Sequence, residues 1–180
     1  MKVYRIEHPE TGHGLFRTDW DDIRYHGFLK NLPDHLVSAY HDAFRKIKYY
    51  NSMVKHDTPT GESTGKRYNL ACAILHGDVD TTGAKVYLTK KEIKIIDNDY
   101  KSGVRPLCAA PSLNVMAEWI QLEAIQYMQM CGFKLYEIDL KVTNAIHYVS
   151  DTQVVFFPKH IKRKKEICLS VLFNPEVVFE

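Results

Sequence analysis

The apolar pattern of the chain changes its period at one point, Cys131-Gly132. After this point, apolar and charged residues alternate from Tyr136 to Val142, which is typical of a strand. Glycine favours the left-handed conformation that ends many helices, so we expect Gly132 to separate two elements. The pattern predicts a helix that begins at Pro111-Ser112 and leads into β structure. Its apolar face recurs at the three- and four-residue spacing of a helix: Leu113, Met116, Ala117, Ile120, Ala124, Tyr127 and Met128.

The other periodic segments give the order of the elements. A short strand is predicted at 3–6, a helix from Pro33-Asp34 onward, and further strands at 85–88, 154–157 and 167–173. Since helices and strands do not alternate regularly, this order favours α+β over a doubly wound parallel sheet. We predict a single domain, residues 1–180, with a mainly antiparallel sheet packed with two principal helices. The apolar stripe of the first helix consists of Leu36, Val37, Tyr40, Phe44 and Ile47.

The composition limits the class of protein. Of the 180 residues, 45% are hydrophobic and 26% are charged, which is a globular balance. No run of about 18 apolar residues occurs and the first residues form no apolar segment, so we expect neither a membrane span nor a secretory signal. Four widely separated cysteines are expected to be reduced thiols in a cytoplasmic protein. The nine histidines match no metal-ligand spacing, so no metal site is predicted.

An arginine interrupts the first predicted strand. Arg5 alternates with apolar neighbours, and burying its charge is costly unless an anion meets it. One interpretation is a fixed guanidinium that holds a phosphate or carboxylate of a ligand. The other is an edge-strand arginine that faces water or pairs with Glu7 or an aspartate. The polar turn at 7–14 contains two histidines and two glutamates, so we expect the first wall of any site there.

The densest basic run lies at 159–165, between two predicted strands. One interpretation of this run is a solvated hairpin tip. The other is a surface that contacts the phosphate backbone of nucleic acid. A net charge of +2 for the whole chain does not decide between them. The cations of the run are Lys159, Lys162, Arg163, Lys164 and Lys165.

Two polar residues stand at the beginnings of predicted elements. Ser112 precedes the second helix and is predicted to be its N-cap. Gln153 precedes the 154–157 strand, where it can hydrogen-bond an amide or a ribose hydroxyl or simply face solvent. The chain has neither a Gly-x-Ser-x-Gly elbow nor a Walker loop, so those kinds of nucleophilic catalysis and phosphate binding are not indicated.

Three short segments together carry a resemblance to a known group. They are Val3-Tyr4-Arg5-Ile6, Ala110-Pro111-Ser112-Leu113, and Cys131-Gly132-Phe133 followed by Asp151-Thr152-Gln153-Val154-Val155-Phe156. In this the chain resembles small phage and bacterial proteins whose motif layout is similar to the ADP-ribosyltransferase fold. The resemblance implies a location in the cytoplasm of a bacterial or phage-infected cell.

The same resemblance implies that NAD is the ligand. By position, Arg5 would hold the NAD diphosphate or ribose, Ser112 would support the nicotinamide ribose, and Gln153 would occupy the catalytic corner. That fold usually has a glutamate at the late-strand position, where this chain has Gln153. The resemblance therefore leaves open whether the protein is an enzyme.

Three functions follow as hypotheses. The first is an ADP-ribosyltransferase-like domain that binds NAD or a related nucleotide and modifies a host macromolecule. The second is a non-enzymatic inhibitor or adaptor that binds a host protein, since tyrosine and phenylalanine are abundant here and common in interfaces. The third is a nucleic-acid-binding protein that uses the basic run at 159–165.

Overall fold

The computed structural model describes residues 1–15, 18–25, 27–52, 94, 107–141, 148–149 and 154–175. Its strands are β1 (Lys2–Glu7), β2 (Leu107–Ala109), β3 (Lys134–Leu140), β4 (Tyr148–Val149), β5 (Val154–Phe156) and β6 (Ile161–Ile167). Its α-helices are α1 (Trp20–Arg24), α2 (Asp34–Ser52), α3 (Leu113–Glu118) and α4 (Ile125–Met130). Short 3₁₀ helices span Gly27–Asn31, Leu122–Ala124, Pro158–His160 and Leu169–Phe173.

The strands form two antiparallel sheets of three strands each. The first has the order β1-β3-β6, and its register pairs Arg5 with Tyr136 and Ile138 with Lys164. The second has the order β2-β5-β4. A bridge joins the two sheets, because Tyr4 and Ala110 exchange two backbone hydrogen bonds of 2.9 and 2.8 Å. Helices combined with antiparallel sheets confirm the predicted α+β class.

The two faces of β1 and β3 pack against different parts of the chain. Tyr4, Ile6 and Leu135 point into a large core with the helices. Val3 and Ile138, on the other face, pack against the second sheet in a smaller core. The alternation of side chains along a strand thus sends successive residues of β1 into different cores. Arg5 and Glu7 share the face of Val3, so they lie beside the second sheet and not against the helices.

The first predicted helix is confirmed as α2. Its buried side chains are Val37, Ala43, Phe44 and Ile47, whereas Leu36 is 48% exposed although the predicted stripe included it. The predicted strands at 3–6 and 154–157 and the strand following Gly132 correspond to β1, β5 and β3. The strand predicted at 85–88 lies outside the described residues.

The second predicted helix is interrupted, and in this respect the prediction was wrong. Helix α3 ends at Glu118, Gln121 has an extended backbone, and a 3₁₀ turn then leads into α4. Further apolar residues flank the predicted face, so the apolar surface is too wide for one straight helix to bury against one core; they are Val115, Trp119, Leu122 and Ile125. The break lets both pieces contribute to the same core, in which Met116, Ile120 and Met128 are all buried.

The C-terminal strand is also displaced from its predicted position. The prediction placed it at 167–173, whereas β6 ends at Ile167 and Leu169–Phe173 forms a 3₁₀ helix. Leu169 and Leu172 are buried at the three-residue spacing of that helix, and this spacing puts both into the large core. The predicted position of the basic run between two strands is therefore wrong as well, and with it the interpretation as a hairpin tip, because most of the run belongs to β6.

Candidate functional site

Arg5 is buried in the structure, with only 7% of its surface exposed. Its Nε donates to Glu7 Oε2 at 2.8 Å, and its Nη1 donates to the carbonyl oxygen of Cys108 at 2.6 Å. Its Nη2 lies 3.4 Å from the carbonyl oxygen of Gly12. Each guanidinium nitrogen thus has a partner within the chain, and the charge is met by an internal carboxylate. Of the two interpretations of Arg5, the pairing with Glu7 is the one present in the structure.

The Glu7 carboxylate connects all three strands of the first sheet. It is 3% exposed and accepts from Arg5 through one oxygen and from the Lys164 ammonium through the other. The Lys164 ammonium also lies 4.0 Å from the centre of the Tyr136 ring, which is cation–π contact distance. A buried carboxylate with two cations is well compensated, so we interpret this cluster as a structural link between β1, β3 and β6.

Gly12 and Gly14 of the turn are explained by different features. Gly12 has a φ of +67°, a backbone conformation that favours glycine. A Cβ at residue 14 would lie 3.0 Å from Arg5 Nη2, which is tighter than most real Cβ contacts, so the guanidinium would have to shift. Gly14 also bridges to Glu7, so the turn folds back over the guanidinium. The sequence did not predict this contact.

Ser112 is the N-cap of α3, as predicted. Its Oγ accepts a hydrogen bond of 3.2 Å from the backbone N–H of Val115. Ser112 lies two residues after Ala110, which is bridged to Tyr4, so Ser112 and Arg5 lie on neighbouring segments.

Gln153 lies outside the described residues. An NAD phosphate at Arg5 would have to displace Glu7 or a carbonyl, and NAD binding by these three residues stays a prediction.

The basic run occupies an outer strand. Among the described strands, β6 pairs with β3 alone, and residues 162–166 are all exposed. Within the described part of the chain, Lys162, Arg163 and Lys165 form no ion pair, in contrast to Lys164. Lys159 lies just before the strand, in the 3₁₀ helix Pro158–His160. Strand β6 therefore presents three exposed cations that form no ion pair with the described residues: Lys162, Arg163 and Lys165.

Two acids on β3 face the basic strand. Asp139 is opposite Arg163, and Glu137 is opposite Lys165. The Glu137 carboxylate lies 3.3 Å from the Lys2 ammonium, so part of its charge is already met. These acids reduce the positive potential on that face of the sheet, and the strongest potential is expected along the outer edge of β6.

A cleft of about 500 Å³ lies at the end of the first sheet where β1 and β6 end and β3 begins. His8, Pro9 and Glu10 of the polar turn form one wall, and Glu166, Ile167 and Cys168 form another. The sequence indicated the turn as the first wall of a site but gave no signal for Cys168. This wall comes from a segment about 160 residues away, which only the pairing of β1, β3 and β6 brings close.

The described cysteines are free thiols with two kinds of environment. Burial raises the pKa of Cys131 to about 12, so this thiol is unreactive near neutral pH. The hydroxyl and then the backbone N–H of Ser170 lower the pKa of the exposed Cys168, with a smaller contribution from Lys134.

No group of three or more His, Cys, Asp or Glu residues in the described ranges could hold a metal ion. Among the described helices, none has the length and apolar character needed to cross a membrane.

Comparison with known proteins indicates the family of the chain. No curated protein and no solved structure matches the chain. The family model described as Bacteriophage T4 Y00F protein matches residues 1–170. This match bears out the phage part of the resemblance, whereas the ADP-ribosyltransferase-like layout stays a prediction. Because the match covers nearly the whole length, the chain belongs to the Bacteriophage T4 Y00F protein family.

Proposed function

We propose that this phage-family protein binds nucleic acid through the outer edge of β6. The observation that carries the proposal is a set of exposed cations on one hydrogen-bonded strand that form no ion pair with the residues described by the structure: Lys162, Arg163 and Lys165. Contacts with phosphates supply most of the sequence-independent affinity of proteins for nucleic acids. Cations that are not already neutralised within the protein are the ones available for such contacts.

The strand also limits how these cations are arranged. Successive side chains of a strand point to opposite faces, and alternate residues are spaced by about 6.6 Å. Arg163 and Lys165 therefore share one face, and Lys162 and Lys164 belong to the other. A partner that meets Lys162, Arg163 and Lys165 together lies along the edge of the sheet, where cations from both faces are within reach. This arrangement favours a phosphate backbone over an isolated anion.

An edge strand rich in lysine has another known role, which is to prevent edge-to-edge aggregation of sheets. This role requires charge on the strand but no partner. The two roles differ in one measurable respect, because only binding to a polyanion releases counterions and weakens steeply with salt. Binding and association state must therefore be measured on the same variants.

The direct test compares two charge-reversal variants of equal net charge. Lys162→Glu with Arg163→Glu removes two of the edge cations, and Lys30→Glu with Arg45→Glu changes two exposed cations outside the strand. Each pair changes the net charge by −4, from +2 to −2. Fluorescence anisotropy with a labelled single strand and a labelled duplex, between 50 and 200 mM salt, reports binding; size-exclusion chromatography reports association.

We expect the wild type and the Lys30/Arg45 control to bind, and the β6 variant to lose binding while staying monodisperse. For a duplex, three phosphate contacts predict a slope of log affinity against log salt of about −2.7. Absence of binding by the wild type at 50 mM salt would reject the proposal. Equal loss of binding in both variants would also reject it, since a general charge effect would then suffice.

A further inference from the structure

The cleft beside the polar turn has an apolar floor and a polar rim. Its floor is lined by the buried Leu29, Phe133 and Leu135, and the exposed Pro9 and partly exposed Ile167 add accessible apolar surface. His8, Glu10 and Lys134 contribute to its rim. An apolar surface with a few convergent polar groups is the usual character of a small-molecule site.

Two glycines with positive φ lie beside rim side chains. Gly132 has a φ of +83°, and a Cβ there would be 3.4 Å from His8 Nε2. Gly27 has a φ of +57°, and a Cβ there would be 3.4 Å from Glu10 Cγ. His8 also makes an edge-to-face contact with the Phe133 ring, at 5.8 Å between centres. The His8 and Glu10 side chains are thus positioned against different segments of the cleft.

The carboxylates on the rim differ in their partners. Lys134 Nζ lies 2.9 Å from Glu166 Oε1, so these two residues form a neutral pair. The Glu10 carboxylate forms no ion pair with any residue that the structure describes. Glu10 is therefore the rim carboxylate at which a ligand cation would meet no competing ammonium group among the described residues.

We infer that this cleft binds a small amphipathic cation, with an apolar chain on the floor and an ammonium group at Glu10. The inference goes beyond the proposed function, because β6 attracts polyanions and this cleft favours the opposite charge. It rests on the cleft and its charges and does not depend on nucleic-acid binding.

The test uses three six-carbon probes that differ only in charge: n-hexylammonium, 1-hexanol and hexanoate. Chemical shifts of the Gly27 and Gly132 amides in ¹H–¹⁵N spectra report occupancy of the cleft. Cys168 gives an independent readout, since its exposed thiol lines the cleft and its alkylation by iodoacetamide can be followed by peptide mass mapping. An occupied cleft is expected to slow that alkylation.

We expect hexylammonium to shift both glycine amides and protect Cys168 at lower concentration than hexanol, and hexanoate to bind weakest. Glu10→Gln should weaken hexylammonium by about two- to fivefold, the range of an exposed ion pair, and leave hexanol unchanged. Glu10 is exposed, so this variant is expected to fold. No shift with 20 mM hexylammonium would overturn the inference, as would hexanol or hexanoate binding as tightly, or an unchanged affinity in Glu10→Gln.

Discussion

The Arg5 guanidinium and the Glu7 carboxylate form a buried ion pair, 2.8 Å between Nε and Oε2, on one face of the same strand. Removing one partner leaves the other charge buried, and such losses typically cost about 3–5 kcal/mol. We therefore expect Glu7→Gln to lower the free energy of unfolding by about 3 kcal/mol, measured by urea denaturation.

A double variant provides the control for this pair. Because Arg5→Met with Glu7→Gln removes both charges, its cost should be smaller than the sum of the two single costs. Additive single costs would contradict the interpretation of Arg5 and Glu7 as a coupled pair.

The contact between Gly14 and Arg5 predicts a second effect on stability. A methyl group at residue 14 would lie 3.0 Å from Arg5 Nη2, so Gly14→Ala should cost about 1–3 kcal/mol through overpacking. Thermal unfolding of Gly14→Ala in the wild type and in the Arg5→Ala background separates the causes. The loss of stability caused by Gly14→Ala should be smaller in the Arg5→Ala background than in the wild type. An equal loss in the two backgrounds would show that the contact with Arg5 is not its source.

Ser112 offers a test of its role as a helix cap. We expect Ser112→Ala to cost about 1 kcal/mol, because the backbone N–H of Val115 loses its acceptor, and Ser112→Asp to retain most of the stability. Urea denaturation of both variants measures the difference. Equal destabilisation by alanine and aspartate would be inconsistent with capping.

NAD binding can be tested separately from stability. Since all the guanidinium nitrogens of Arg5 have partners within the chain, we expect 1–5 mM NAD to leave the melting temperature unchanged. A shift in the wild type that Gln153→Ala abolishes would instead support the ADP-ribosyltransferase-like interpretation. Nicotinamide release, followed on the same samples, would show whether the bound NAD is cleaved.

The two thiol environments predict different reactivity with pH. Only the thiolate reacts with iodoacetamide, so a lowered pKa increases the reactive fraction of Cys168 at neutral pH. Ser170→Ala removes the hydroxyl that contributes most to this lowering, so the midpoint of the rate–pH curve should move to higher pH. Cys131, with a pKa of about 12, should stay unmodified in the folded protein up to pH 9. An unchanged midpoint in Ser170→Ala would contradict the assigned cause.

The elements predicted correctly are those with a clear local period. The stripe of α2, the alternation in β3 and the apolar run of β5 each contain their own signal. Strand β6 does not, because its central residues 162–166 are all charged and exposed on an outer strand. Its position is set by pairing with β3, and local sequence reasoning has no access to that pairing.

The candidate sites were predictable only in part for the same reason. The pairing of Arg5 with Glu7 was one of the predicted alternatives, because the two residues are only two positions apart in the sequence. The carbonyl of Cys108 comes from a segment about 100 residues away, and no sequence pattern indicates it. The break after α3 likewise depends on how much apolar surface the core can accept, which is a tertiary property.

The most direct test of nucleic-acid binding compares two adjacent lysines of β6. Lys165 has no ion pair among the described residues, whereas Lys164 is bound to the buried Glu7 carboxylate. In salt titrations of duplex binding, Lys165→Gln should reduce the magnitude of the slope by about 0.9, the contribution of one phosphate contact, and Lys164→Gln should leave the slope unchanged. Equal slopes in the wild type and Lys165→Gln, or equal reductions in both variants, would contradict the account.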